Sequence, residues 1–180
     1  MKKIGIYFGT DTGTTRLIAK KIAKKLGDIV DKPLNINRTD VEAFLNHDAL
    51  ILGTPTYGID QLPGKSTDIE AGSWEEFLPD IDVIDFTGKT IALYGLGDQE
   101  KYSDRFLDSM IHLYRFFSER GATMVGQWPL EGYQFDQSMA VLDGQFVGLA
   151  LDQHNQSLLT DARIDLWLSQ ITPKLTGDVL

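Results

Sequence analysis

The sequence predicts an α/β protein built on a parallel sheet that is covered by helices on both faces. Six short apolar runs alternate along the 180-residue chain with segments in which apolar residues recur at helical spacing. The central runs are almost continuously apolar, as expected of strands that are buried on both faces. Alternation of this kind along one chain indicates parallel strands joined by helical crossovers.

The predicted strands are the apolar runs themselves. In chain order they span residues 3–8, 34–37, 49–53, 90–95, 124–128 and 146–151. In such sheets ligands bind beyond the carboxyl ends of the strands, where the strand order reverses. The loops at 9–15, 53–60 and 95–102 follow three strand ends and are rich in glycine and in polar or aromatic side chains. Together they predict a slot for a flat ring that carries a phosphate tail.

The predicted helices are the segments with one apolar face. In chain order they span residues 14–26, 41–45, 73–78, 104–120 and 160–175. The apolar stripe of the fourth helix consists of Phe106, Leu107, Met110, Ile111, Tyr114 and Phe117. Gly121 stands where that helix should end. The last helix repeats the pattern with Ile164, Leu168, Ile171 and Leu175.

Length and composition fit a single globular domain that spans residues 1–180. The chain is 42% apolar and 24% charged, as is usual for soluble proteins. No apolar run reaches the roughly 20 residues of a membrane span, and the first apolar run is too short for a signal sequence. The absence of cysteine excludes disulfides, thiolate chemistry and iron–sulfur clusters. These features predict a cytoplasmic protein.

The net charge of −9 is unevenly distributed. Residues 57–104 contain eleven acidic side chains and three lysines. Nucleic acid is therefore not expected as a partner. The acidic stretch is either a solvated surface or a docking face for a basic protein partner, which it would attract electrostatically.

The most specific motif, Gly-Thr-Asp-Thr-Gly-Thr-Thr-Arg at residues 9–16, joins the first strand to the first helix. The unpaired N–H groups of the first helical turn and the helix dipole favour an anion there. Its hydroxyl donors are Thr10, Thr12, Thr14 and Thr15. The loop lacks the lysine of the nucleotide-hydrolysing P-loop, which indicates a phosphate that is held and not transferred. Ordinary capping of the helix by threonine is the alternative interpretation.

Four segments in this order resemble those of flavodoxins, and the resemblance covers essentially the whole chain. They are residues 9–15, residues 53–57, residues 94–99 with Tyr102, and residues 146–156. The segment at about 128–145 is similar to the insertion of long-chain flavodoxins. The resemblance implies a flavodoxin-like, doubly wound, five-stranded parallel sheet of order 2-1-3-4-5, with the last strand interrupted by this insertion.

The resemblance also implies FMN as the cofactor. Its phosphate would bind to Thr10, Asp11, Thr12, Gly13, Thr14 and Thr15. Its ring would bind to Thr54, Pro55, Thr56, Tyr57, Gly58, Gly95, Gly97, Asp98 and Tyr102.

Individual roles follow from the same resemblance. Tyr102 would stack on the outer face of the flavin, and Tyr57 would cover the inner face. The peptide after Tyr57 would flip at Gly58 on one-electron reduction and stabilise a neutral semiquinone. Asp98 would accept a hydrogen bond from flavin N3–H. The structural alternatives are two rim tyrosines, a simple glycine turn and a turn-stabilising aspartate.

Acidic side chains near the ring would set its potential. Asp60, Asp98 and Glu100 would repel the anion that the second electron creates, which lowers the second reduction potential. Asp60 and Lys101 differ from the residues that are frequent at the matching family positions. The charge of Lys101 would partly offset that of Glu100.

The sequence thus predicts a low-potential, FMN-dependent one-electron carrier with no substrate and no catalytic residues of its own. It would act as a monomer between a reductase and an acceptor enzyme, both docked on the acidic flavin face. Residues 62–77 are most similar to flavodoxins of nitrogen fixation, which implies the nitrogenase iron protein as the acceptor.

Two other functions were weighed against the electron carrier. A flavin-dependent NAD(P)H–quinone reductase on the same fold would need space over the ring, which a Tyr102 lid disfavours. A phosphorelay receiver domain needs acidic residues at the ends of the first and third strands, where this chain has Gly-Thr. The spacing of His47, His112 and His154 is not that of metal ligands, so no metal site is expected.

Overall fold

A computed structural model describes residues 2–10, 13–57 and 60–178 of the chain. The strands are β1 (Gly5–Phe8), β2 (Leu34–Asn35), β3 (Ala49–Pro55), β4 (Thr90–Leu96), β5 (Thr123–Val125), β6 (Trp128–Pro129), β7 (Val141–Leu142), β8 (Gln145–Phe146) and β9 (Leu149–Leu151). The helices are α1 (Thr14–Leu26), α2 (Val41–Leu45), α3 (Trp74–Phe77), α4 (Met110–Glu119) and α5 (Thr160–Thr176).

The main sheet is parallel, with the strand order β2-β1-β3-β4-β5. Every residue of β1 is buried, and so is nearly every residue of β3 and β4. Burial on both faces explains why these strands are apolar along their whole length. The α/β fold class and the strand order 2-1-3-4-5 are therefore confirmed.

Two separate segments share the fifth position of this sheet. β5 pairs with the first half of β4, where Met124 lies opposite Ile91. β9 pairs with the second half, where Ala150 lies opposite Gly95. Between them, β6, β8 and β7 form a small antiparallel sheet in that order. The last strand is thus interrupted, as the resemblance implies.

The chain leaves and rejoins the main sheet at two glycines. The strand predicted to reach Trp128 is wrong in its second half, because Trp128 pairs with Phe146 in the small sheet. Gly126 has a φ of 86°, a backbone conformation that glycine adopts without strain. At Gly148 a Cβ atom would lie 2.3 Å from the carbonyl oxygen of Leu93, so only glycine lets the backbone pass this close to β4.

The fourth helix begins later than the sequence predicts. α4 begins at Met110, and residues 101–109 form turns. Phe106 and Leu107 are buried as the apolar stripe requires, but Leu107 has a φ of 62° and is not helical. The amide of Phe106 donates to Gln137 O at 3.2 Å, so the insertion supplies the partner that a helix would otherwise provide.

The other helices agree with the prediction within one residue at each end. α1 and α2 have the predicted bounds, and α3 is a short helix at whose start the Ser73 amide donates to Glu76 Oε1 at 2.9 Å. One continuous hydrophobic cluster covers both faces of the sheet, which supports the proposal of a single domain. Within the described residues, no helix has the length and apolar character needed to cross a membrane.

Candidate cofactor-binding site

A cavity of about 520 Å³ opens at the carboxyl edge of the main sheet, where the sequence predicts a ligand slot. Its walls come from the start of α1, from the loops after β3 and β4, and from the segment after β9. The lining residues are Thr14, Thr15, Pro55, Thr56, Tyr57, Leu96, Gly97, Asp98, Tyr102, Arg105, Phe106, Leu107, Gln153 and His154. This volume is within the usual range for small-molecule and cofactor sites.

The structure brings eight of the predicted cofactor-binding residues to this cavity. They are Thr14, Thr15, Pro55, Thr56, Tyr57, Gly97, Asp98 and Tyr102. Gly13, Thr54 and Gly95 are each adjacent in the chain to a lining residue without forming part of the lining, and Thr10 precedes the first lining residue, Thr14, by four positions. Asp11, Thr12 and Gly58 lie outside the described residues.

The proposed phosphate end of the cavity is the entry to α1. Gly13, with a φ of 86°, precedes the helix and donates from its amide to Thr10 Oγ1 at 2.9 Å. Thr10 therefore orders the turn, in the manner of a capping threonine. The hydroxyl of Thr15 is buried and has no hydrogen-bond partner among residues 2–10, 13–57 and 60–178, although Thr15 lines the cavity. A buried hydroxyl without a partner is costly, and a bound anion would satisfy it.

Two buried aromatic residues, Tyr94 and Trp74, pack beneath the start of α1 and the end of β3. The hydroxyl of Tyr94 donates to Thr15 O at 2.9 Å, and burial raises the pKa of Tyr94, which keeps this donor protonated. The ring of Tyr94 lies so close to Gly53 that a Cβ atom there would meet it at 2.0 Å. Trp74 Nε1 donates to Gly53 O at 3.0 Å. The glycine after β3 is therefore needed for packing beneath the site.

In the first ring loop (residues 54–61), the described arms on either side of residues 58–59 pair with each other as in a hairpin, and the residue before α4 anchors them. Tyr57 and Gln61 exchange two backbone hydrogen bonds of 3.1 and 2.8 Å. The buried hydroxyl of Ser109 lies 2.8 Å from Gln61 O and 3.1 Å from Pro55 O. The Ser109 amide donates to Thr56 Oγ1 at 3.2 Å. Both arms of the hairpin are thus fixed, and Ser109 is a positioning residue that the sequence analysis did not identify.

The second ring loop, residues 96–102, is ordered by the carboxylate of Asp98. Its Oδ1 accepts from Asn155 Nδ2 at 2.7 Å, from the Lys101 amide at 2.9 Å and from the Glu100 amide at 3.2 Å. Partial burial works against ionisation, but these hydrogen bonds prevail and lower the pKa of Asp98. The turn-stabilising role weighed for this aspartate is therefore present. Its bond to flavin N3–H stays a prediction.

Asp152, fully buried at the end of β9, connects this loop to the next one. Its Oδ2 accepts from Gln99 Nε2 at 2.7 Å, from the Gln99 amide at 3.1 Å and from Asn155 Nδ2 at 2.9 Å. Its Oδ1 accepts from the amides of His154 and Asn155 at 3.1 and 3.0 Å. One carboxylate thereby fixes two segments that line the cavity.

The insertion holds the chain that carries Tyr102. Gln134 donates from its amide to Gln99 Oε1 at 2.8 Å. The carbonyl of Ser103 accepts from the amides of Asp136 and Gln137 at 2.7 and 2.9 Å. These bonds join the second ring loop and the turns after it to the insertion, so the insertion contributes to the shape of the cavity.

Tyr102 itself is 38% exposed at the cavity mouth. Two cations flank its ring: Lys101 Nζ lies 5.4 Å and Arg105 Cζ 5.2 Å from the ring centroid. On the opposite side of the first ring loop, His112 Nε2 lies 3.6 Å from Asp60 Oδ2. The charges around the site are therefore of both signs. No cluster that could hold a metal ion occurs among residues 2–10, 13–57 and 60–178.

Comparison with known proteins identifies the family. The family model described as flavodoxin matches residues 6–167. A flavodoxin of Klebsiella pneumoniae is 52% identical over 171 residues, which cover 95% of this chain and 97% of the relative. The chain belongs to the flavodoxin family. A Synechocystis flavodoxin is 44% identical over 176 residues and 97% of this chain. The crystal structure of a Fusobacterium nucleatum flavodoxin bound to flavin mononucleotide has a TM-score of 0.86 at 34% identity, and the match covers 97% of this chain and 99% of that one.

In this flavodoxin several lining residues come from segments that the sequence analysis assigned to other roles. Phe106 and Leu107 were predicted as one face of a helix, and His154 as a packing or surface residue. Arg105 and Gln153 were not singled out at all. For Gln153 and His154, the one sequence signal of a binding role is their position, because residues 152–156 follow a strand that ends at the ligand-binding edge of the sheet.

Proposed function

We propose that this flavodoxin binds FMN in the cavity, with the phosphate at residues 10–15 and the ring between Tyr57 and Tyr102, and carries single electrons between redox proteins. Flavodoxins are FMN-binding electron carriers, so the chain is an electron-transfer protein and not an enzyme. The supporting observation is the buried, unpartnered hydroxyl of Thr15 at the amino end of α1. It fits a phosphate group that neutral donors and a helix dipole hold without a lysine.

Each part of the cavity has a defined task in this proposal. FMN supplies the chemistry, since its ring can take up and release electrons one at a time. The entry to α1 binds the phosphate and fixes the depth of the ring. Tyr57 and Tyr102 exclude water from its faces and contribute about 0.5–1.5 kcal/mol each by stacking beyond the area they bury.

The first ring loop is suited to a local conformational change. Hydrogen bonds fix its two arms at Tyr57 and Gln61, and Ser109 holds both from below. A change of backbone conformation at residues 58–60 would therefore not spread into β3 or α4. This arrangement supports the predicted peptide flip at Gly58, which glycine permits at low cost.

Titration of the apoprotein with FMN and with riboflavin tests the phosphate assignment. Thr15→Val should weaken FMN binding roughly tenfold, equivalent to about 1.4 kcal/mol, and leave riboflavin binding nearly unchanged. Thr123→Val, at the far end of the sheet, is the matched control. Equal losses for FMN and riboflavin would show that Thr15 serves the fold and not the phosphate.

The competing function, an NAD(P)H–quinone reductase, makes a different prediction. The purified holoprotein should show negligible steady-state reduction of quinone by NAD(P)H. Sustained turnover would overturn the carrier proposal. An anaerobic spectral titration should show two separate one-electron steps, and a single two-electron step would contradict the role of Gly58.

We further propose that the nitrogenase iron protein is the electron acceptor, that a reductase is the donor, and that the flavodoxin acts as a cytoplasmic monomer. The acidic residues of the 57–104 stretch support docking of basic partners near the ring. Electron transfer to purified nitrogenase iron protein should slow steeply as ionic strength rises. A rate no greater than that to an unrelated acceptor of similar potential would exclude this partner.

A further inference from the structure

Arg105 is a cationic side chain in the wall of the cavity, in a region that the sequence predicts to be acidic. Its side chain is 32% exposed, yet its Nε atom is buried and has no hydrogen-bond partner in the part of the chain that the structure describes. Its guanidinium has one ion pair among the described residues, a distant one of 3.7 Å to the carboxylate of Asp104. Burial of a guanidinium N–H without an acceptor costs free energy, and the cost exceeds that of a neutral donor because a charged group loses more hydration energy.

The position of Arg105 is fixed by the turns that replace the first part of the predicted fourth helix. The Arg105 amide donates to Tyr102 O at 3.1 Å. The next residue, Phe106, is fully buried, and its amide is bound to Gln137 O of the insertion at 3.2 Å. Arg105 therefore stands between two fixed points of the backbone.

The contact with Tyr102 places the guanidinium at the ring end of the cavity. Its Cζ atom lies 5.2 Å from the centroid of the Tyr102 ring, a cation–π distance. The phosphate end is formed by other elements, the turn at Thr10–Gly13 and the start of α1. Arg105 is thus near the proposed flavin ring, three positions after the tyrosine proposed to cover it.

We propose that the buried Nε–H of Arg105 donates to an acceptor atom of the bound flavin ring and stabilises the ring when it is reduced to an anion. The proposal rests on the proposed function, because it requires FMN in the cavity. The electrons come from the redox partner, and Arg105 keeps its proton, since a guanidinium stays charged under all conditions in which proteins fold. Arg105 opposes the carboxylates around the ring and raises the potential of the second electron step.

The test compares three variants of the FMN-loaded protein. Arg105→Gln removes the charge, and Arg105→Lys keeps the charge but not the planar donor. Arg115→Gln, at an exposed position of α4, makes the same change in net charge away from the cavity. The measurements are the dissociation constants of the apoprotein for oxidised and for dithionite-reduced FMN, together with the potentials of both electron steps.

Arg105→Gln should weaken the binding of reduced FMN about tenfold more than the binding of oxidised FMN. A tenfold change corresponds to a decrease of about 59 mV for the one-electron step that creates the anion. Arg105→Lys should retain most of the wild-type preference for reduced over oxidised FMN, and Arg115→Gln should change this preference little. Equal effects of Arg105→Gln and Arg115→Gln would overturn the proposal. If the wild-type apoprotein binds no FMN, the proposed function itself fails, which is a separate outcome.

Discussion

Asp152 accepts two hydrogen bonds from Gln99, one from its side-chain amide at 2.7 Å and one from its backbone amide at 3.1 Å. The two residues are 53 positions apart, and both are buried. Gln99 belongs to the second ring loop, and Asp152 ends the strand that completes the sheet. This side-chain pair thus connects the second ring loop to the end of β9.

Asp152→Ala should destabilise both the fold and the cofactor site. The substitution leaves the side-chain and backbone donors of the buried Gln99 without an acceptor, and each lost bond to a charged group costs about 1.5–3 kcal/mol. Urea unfolding of the apoprotein measures this loss, and FMN titration measures the effect on the site. Asp28→Ala, at an exposed position after α1, is the control. If the two variants unfold at the same urea concentration, the Asp152 network does not stabilise the protein.

Ser109→Ala should loosen the first ring loop. The change removes the hydroxyl that contacts Gln61 O and Pro55 O, at a cost of about 1–2 kcal/mol in the free energy of unfolding. FMN affinity should fall as well, because more conformations of the loop must be ordered on binding. Ser118→Ala, near the end of α4, should leave both quantities unchanged. Hydrogen exchange at the Tyr57 and Gln61 amides provides a direct measurement, and unchanged protection there would contradict the assignment.

Tyr94→Phe should weaken phosphate binding from beneath the site. The variant keeps the ring that packs on Gly53 but removes the hydroxyl that donates to Thr15 O, which costs about 0.5–1.5 kcal/mol. We expect FMN affinity to fall more than riboflavin affinity, because Thr15 lies in the first turn of α1, where the phosphate is proposed to bind. Tyr114→Phe, on the half-buried side of α4, is the matched control. A loss of stability with no change in FMN affinity would limit Tyr94 to a packing role.

Asp108→Asn should stabilise the protein at neutral pH. Burial raises the pKa of Asp108, although the hydrogen bond from the Met139 amide acts in the opposite direction. The charges of Asp60 and Asp104 add to the rise. The folded chain therefore binds this proton more tightly than the unfolded chain. The contribution to stability is greatest below the ordinary aspartate pKa and decreases as pH rises through the interval up to the folded value.

Asparagine keeps the oxygen that accepts from Met139 and removes the titration. The variant should exceed the wild type in unfolding free energy at pH 7, and the difference should shrink as the pH falls below the ordinary aspartate pKa. Asp104→Asn removes an exposed neighbouring charge and should have a much smaller effect. If the difference in unfolding free energy between variant and wild type stays constant from pH 7 to the acid range, the pKa of Asp108 is the same in the folded and the unfolded chain.

Local patterns predicted most of the fold, because the helices and the central strands are encoded by periodicity within short windows. α1 and α2 have the predicted bounds for this reason. The start of α4 was predicted wrongly because Phe106 and Leu107 are buried without being helical. Their partners lie in the insertion, some 30 residues away, and no local pattern contains that information.

The same distinction applies to the site. Strand-end loops and hydroxyl residues predicted where the cavity forms and eight of its lining residues. Ser109, Asp152 and Arg105 were missed, because each acts through contacts that only the folded chain creates. Ser109 lies among apolar residues, and its contacts with Pro55 and Gln61 span about 50 positions.

β5 and β9 share the fifth position of the sheet, so the two halves of β4 gain their outer neighbours at different times during translation. The first half of β4 has its outer neighbour once residue 125 has been translated. The second half, which carries Leu96 to the cavity, gains its neighbour only with Leu149–Leu151. A nascent chain can therefore build most of the sheet while its cofactor site is still open on one side. The ability to hold a cofactor is acquired late in translation, when the segment that contains Asp152 leaves the ribosome.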